Sequence, residues 1–124
     1  MKTSELSGHA LDWAVAKCEG NNGVLHDDGI TRCIVIAAAS GVYKGTWKPT
    51  INWSQGGPII QREGVSVTAS TEGRYEGFSW QATIDDPEDE NALWRYGPTP
   101  LIAAMRCYVS SKLGDEVDSP KELQ

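Results

Sequence analysis

The sequence predicts an α+β fold: a small antiparallel or mixed sheet covered by an N-terminal helix, a short middle helix and a C-terminal helix. Two patterns lead there. Segments with helical apolar spacing lie towards both ends of the chain, each closed by a glycine, Gly20 and Gly114. Between them lie short apolar or alternating runs that read as strands. The 124 residues suit one domain, placed at residues 1–114, with 115–124 as a loose polar tail. A hydrophobic share of 40% is enough for a packed core.

The first helix starts at Ser7, a good N-cap, with Gly8 as its first residue. Leu6 and Leu11 stand in the hydrophobic-staple arrangement. Ala10, Leu11, Ala14, Val15 and Cys18 form one apolar stripe, which leaves Asp12, Lys17 and Glu19 to face water. Gly20 takes the C′ position. The stretch Asn21 to Gly29 is polar and turn-forming. A strand is expected from Thr31 to Ala38, with the residues around Leu25 as a short partner strand. Ser40 to Thr46 reads as a turn and a second extended piece.

Residues 47–64 read as an irregular helix. Asn52 or Thr50 caps it, Gly64 closes it, and Gly56-Gly57-Pro58 is its weak point, because proline removes a helical hydrogen bond. Val65 to Ala69 and Phe78 to Ile84 alternate and are expected to form an antiparallel hairpin around Thr71-Glu72-Gly73-Arg74. Asp85 to Glu90 reads as a mobile acidic loop. The last helix has the clearest punctuation: Thr99 as N-cap, Pro100 as first residue, and Gly114 as stop. Leu101, Ile102, Met105, Tyr108, Val109 and Leu113 recur along it at helical spacing.

Net charge and composition narrow the function. A formal charge of −6 argues against nonspecific nucleic-acid binding, which needs a basic face. No apolar h-region follows Met1-Lys2-Thr3-Ser4-Glu5, and the longest apolar run, Cys33 to Ala39, is too short to span a bilayer. The expectation is a soluble cytoplasmic protein without a membrane partner. The three cysteines, Cys18, Cys33 and Cys107, show no metal-ligand spacing and read as free thiols, so no metal and no cofactor is expected. His26 with Asp27 and Asp28 reads as a solvated loop, since adjacent residues rarely converge on one ion. Cys107 has no evident catalytic partner, and no nucleophile-elbow, His-Glu-x-x-His or P-loop spacing occurs. The expectation is a protein that is not an enzyme.

The candidate ligand site is aromatic. Trp47 and Trp53 flank polar and glycine-rich residues, and Trp94 is followed by Arg95 and Tyr96. An indole or phenol beside a guanidinium suits a flat ligand such as a nucleobase. Gly56 and Gly57 would let a ligand approach the backbone. Thr99 and Asn52 stand at helix starts whose N–H groups suit an anion. Lys48, Gln55 and Arg106, with Arg62 nearby, complete the set. The alternative use of these residues is a small core with its turns. A third candidate is the acidic run Asp85, Asp86, Glu88, Asp89 and Glu90 as a docking surface.

Three blocks carry a family resemblance: Lys2 to Leu6 running into Leu11-Asp12-Trp13-Ala14-Val15-Ala16-Lys17-Cys18-Glu19-Gly20; Asn52-Trp53-Ser54-Gln55-Gly56-Gly57-Pro58-Ile59-Ile60; and Gly97-Pro98-Thr99-Pro100-Leu101 through Val109. They resemble the NinX-like family of phage proteins, a family of unknown function, over about half the chain. A looser similarity to phage α-β-α sandwich domains implies a sheet between helices. The stretch Gly23 to Thr46 departs from the family pattern by extra residues. The resemblance carries no activity from residue to residue. It implies a phage accessory protein, and with the aromatic site it leads to the expectation of a small nucleotide-like ligand sequestered without catalysis, as phages do to blunt host signalling. The alternative is a module that binds and inhibits a host protein. A chain this small builds deep sites most readily between copies, so a homo-oligomer is also expected.

Overall fold

A computed structural model of the chain describes residues 1–21, 23–37, 43–70 and 79–123. After a short 3₁₀ turn at Thr3–Glu5 come α1 (Gly8–Cys18), β1 (Gly23–Asp27), β2 (Arg32–Ala37), β3 (Tyr43–Trp47), α2 (Trp53–Glu63), β4 (Ser66–Ala69), β5 (Trp80–Thr83), β6 (Arg95–Gly97) and α3 (Pro100–Leu113). The fold is α+β, as the sequence predicts. The strands are shared between two antiparallel three-stranded sheets, β1-β2-β3 and β4-β5-β6, rather than gathered in one.

Contacts run from sheet to helix to helix to sheet. α1 packs on β1 and β2, α3 packs on β4, β5 and β6, and the two helices pack on each other. The helix pair is thus the middle of the molecule, where the looser resemblance implied a sheet between helices. The composition of α3 gives the reason. Leu101, Ala103, Ala104, Met105, Cys107, Tyr108 and Val109 are all buried, so α3 is apolar on most of its circumference and needs cover on several sides. Its alanines let neighbours approach closely.

The ends of α3 match their local signals. The Thr99 hydroxyl accepts the Ile102 amide, Pro100 opens the helix, and Gly114 ends it. Leu6 and Leu11 are fully buried at the start of α1. Ser7 is extended but its side chain caps no amide, and Gly8 takes φ 54°, a conformation suited to glycine. Gly20, at φ 76°, follows the helix as expected.

Four expectations need correction. Asp12 and Glu19 do not face water: Asp12 is buried beneath the loop before α2, and Glu19 is held by Arg62 and Tyr108. The helix over Trp53–Glu63 runs unbroken through Pro58. Pro58 and Ser54, whose carbonyl loses its helical partner there, are both exposed, so water can take that bond. A third strand, β6, joins the hairpin of β4 and β5. Lastly, Asp115 to Leu123 lies against the body instead of hanging loose. Lys2 bridges Glu116, the Met1 ammonium donates to the Val117 carbonyl at 3.1 Å, and Val117 and Ser119 are buried. Ala38, the turn from Ser40, the Thr71 to Arg74 turn and Phe78 lie outside the described residues.

Candidate functional site

A cleft of 670 Å³ lies where the N-terminal turn and the segment after α3 meet β6. It is lined by Lys2, Thr3, Ser4 and Glu5, by Trp94, Arg95 and Tyr96, and by Asp115 and Glu116. Its size is that of a small-ligand site. Two sets of bonds hold its walls. Buried Thr3 donates its amide to the Asp115 carbonyl at 2.9 Å and its hydroxyl to the Gly114 carbonyl at 2.8 Å, which pins the N-terminal turn to the end of α3. Arg106, on α3, donates from Nε to the Leu6 carbonyl at 2.8 Å and from a terminal nitrogen to the Tyr96 carbonyl at 2.9 Å. It therefore ties the N-terminal wall to the strand wall.

Trp94 and Tyr96, on either side of Arg95, both line the cleft. Arg95, between them, turns to α3. Its Nε donates to Ser110 Oγ at 3.3 Å and one terminal nitrogen donates to the Trp94 carbonyl at 3.3 Å. The other terminal nitrogen lies 3.6 Å from Asp115 Oδ1, a carboxylate that is 92% exposed. Arg95 also lines a smaller cavity of 200 Å³ with Ile84, Asp85, Leu93, Cys107, Ser110 and Ser111. The guanidinium is thus fixed on two edges and open to exchange on the third. Around the cleft two cations, Lys2 and Arg95, stand against three carboxylates, Glu5, Asp115 and Glu116.

The expected site residues fall into two groups. Trp94, Arg95 and Tyr96 line the cleft, with Arg106 bracing its walls and Thr99 capping the helix just beyond β6. Trp47, Lys48, Asn52, Trp53, Gln55, Gly56 and Gly57 gather instead around the start of α2. There the polar groups serve the backbone. Gln55 donates to the Thr46 carbonyl at 2.8 Å and accepts the Lys48 amide at 2.7 Å, and Asn52 accepts the Ser54 amide at 2.9 Å. Asp12 accepts the Thr50 amide at 3.1 Å from below. Gly56 is buried, and a Cβ there would stand 2.5 Å from the Pro49 carbonyl oxygen and 2.7 Å from a Leu101 methyl. That glycine serves the close approach of two segments of the chain. Trp47 packs on the core, and its buried Nε1 has no partner among the described residues. Trp53 is 56% exposed and lies along Gly57.

Lys2 to Glu5, Asp115 and Glu116 were missed as site residues. They sit in polar stretches with no periodicity, and long-range bonds bring them together: the bridge of Lys2 with Glu116 and the bonds of Thr3 to the Asp115 and Gly114 carbonyls. The acidic run is shaped by its own carboxylates: Asp85 accepts the Leu93 amide, Asp86 that of Glu88, and Asp89 that of Asn91. Elsewhere, Arg62 makes a two-pronged contact with Glu19, which also accepts from Tyr108, while Glu63 takes Lys112. Burial would raise the Glu19 carboxyl, but the hydrogen bonds from Arg62 and Tyr108 outweigh it and hold it below the usual carboxylate range. Among the described residues no group of three or more His, Cys, Asp or Glu could hold a metal, and no helix is long and apolar enough to cross a membrane.

Compared with known families, the sequence matches the one described as Bacteriophage P22, NinX, over residues 2–112. No individual curated protein matches it.

Proposed function

The chain belongs to the phage P22 NinX family, and we propose that in this phage setting it binds and sequesters a small nucleotide-like ligand without transforming it. The observation that carries the reading is the cleft itself, which brings an indole, a phenol and a fixed guanidinium together at 670 Å³. A base stacks on the flat faces of Trp94 and Tyr96. One anionic group takes the third edge of Arg95, displacing the exposed Asp115 carboxylate. The excess of carboxylates over cations around the cleft favours ligands with few phosphates over polyphosphates.

Thermal melting against nucleosides, mononucleotides, cyclic dinucleotides and NAD-derived compounds tests this. A ligand at about a hundred times its dissociation constant should stabilise the fold by roughly 2.7 kcal/mol, a rise of several degrees. Trp94→Ala or Tyr96→Ala should reduce the shift, while Trp53→Ala should leave it intact. An unchanged melting temperature across the panel would reject the reading. The second reading, capture of a host protein, draws on the exposed run from Asp85 to Glu90 and on neighbouring Leu93, which is also exposed. It expects a stoichiometric partner from host lysate that is lost when the run is neutralised.

A further inference from the structure

The outer face of the first sheet gathers three residues that are scattered in the sequence. β1 and β2 pair with His26 directly opposite Cys33 and Val24 opposite Val35. The alternating residues Ile34 and Ile36 are buried, and Gly23 lies against Ala16 and Trp13 of α1, so that side of the sheet faces the helix. Cys33 and His26 therefore share the side turned away from α1. Directly opposed Cβ atoms in an antiparallel pair lie about 4.5–5.5 Å apart. The turn that joins the strands supplies the third group. Asp28 Oδ1 accepts the amides of Ile30 at 2.9 Å and Thr31 at 2.6 Å, and these bonds hold its carboxyl below the usual range. Its other oxygen, Oδ2, lies 3.5 Å from His26 Nε2. All three residues line one cavity of 420 Å³ with Thr31, Val35 and Thr46.

A carboxylate locked by the backbone, an imidazole facing it through Nε2, and a thiol across the strand from that imidazole are the parts of an activated nucleophile. We propose that Cys33 is such a nucleophile, with His26 as its base and Asp28 orienting the ring, and that this face is a covalent modification site for small uncharged carbon electrophiles. The Cys33 Sγ–H proton passes to His26 Nδ1 as sulfur forms its bond to the electrophilic carbon. The leaving group departs with the electron pair of the bond that breaks, and His26 returns its proton to solvent. No oxidant or reductant takes part. Beyond His26 and Asp28 the cavity lining is neutral, and the carboxylate disfavours anionic reagents. The other two thiols lack this setting. Burial pushes Cys18 and Cys107 up to about 11, which keeps them protonated and slow.

The test is alkylation of the whole folded protein by iodoacetamide at pH 7, with each cysteine followed separately by peptide mass. Cys33 should react on the order of ten times faster than the same residue in the urea-unfolded chain, with Cys18 and Cys107 far behind. His26→Gln should remove that acceleration and Asp28→Asn should reduce it. The His26 side chain is 49% exposed, so the glutamine disturbs little packing. A folded-state rate no higher than the unfolded one overturns the proposal without need of any variant. A His26→Gln rate equal to that of the unaltered protein overturns it equally.

Discussion

Buried on α1 with 3% of its surface exposed, the Asp12 carboxyl is pushed up to about 6 by burial, against the opposing pull of the Thr50 hydrogen bonds and of His9 and Lys48. A carboxyl raised above its unfolded value of 3.8 favours the folded state when protonated. Its contribution is complete below about pH 3.8 and is lost as the pH rises through about 6. The two limits differ by about 3 kcal/mol at most. Asp12→Asn keeps an acceptor for Thr50 and removes the charge. It should therefore match or exceed the unaltered protein in stability at pH 8 and lose that advantage towards pH 4, as read by urea unfolding at both values. Asp12→Ala should destabilise by about 1–3 kcal/mol at pH 8, because the buried Thr50 amide is left without a partner. None of this was legible beforehand. Asp12 lies off the apolar stripe and reads as a solvated residue, and the group it serves lies on a distant loop. At the cleft, Trp94→Ala should weaken ligand binding by about 1–3 kcal/mol, the usual worth of one stacked base, measured by calorimetry with the ligand found by melting.

The elements differ in how plainly the sequence announces them. α3 is legible because its signals are local: Thr99 caps, Pro100 fixes the first turn, and Gly114 closes. β6 is not, since Arg95–Gly97 is too short to show a period and exists only by pairing with β5. The glycine pair in α2 shows the same limit, because Gly56 and Gly57 look equivalent in sequence and are not in space. A methyl group at Gly56 meets the Pro49 carbonyl at 2.5 Å, whereas at Gly57 its nearest neighbour is the Trp53 ring at 4.0 Å. Gly56→Ala should thus cost about 1–3 kcal/mol through overpacking. Gly57→Ala should be neutral or gain up to about 1 kcal/mol in helix propensity. Paired urea titrations of the two variants check both signs. Opposite signs would establish that the turn before α2, not a ligand, demands the first glycine.

At the scale of the whole molecule, the aromatic half of the cleft was readable and the polar half was not. Trp94, Arg95 and Tyr96 are adjacent in sequence and declare themselves, whereas Lys2 to Glu5 join them through bonds to Gly114, Asp115 and Glu116 and through the Arg106 brace between Leu6 and Tyr96. The Asp115 to Leu123 segment belongs to the fold for the same reason. Truncation after Gly114 should lower the melting temperature by several degrees, because it strips cover from the N-terminal turn and removes buried Val117 and Ser119. It should also abolish any ligand shift. A truncated chain that melts with the full one would show that the segment adds nothing to stability.

The meeting of the two ends also fixes an order of assembly during translation. Thr3 and Leu6, both buried in the fold, are synthesised before the residues that anchor them. Their anchors, Arg106, Ser110 and Gly114, follow 100 or more residues later in the chain. The N-terminal turn therefore stays undocked until α3 has been made, against the general habit of nascent domains to settle from the amino end. The cleft cannot be complete until Asp115 and Glu116, which line it just beyond α3, have left the ribosome.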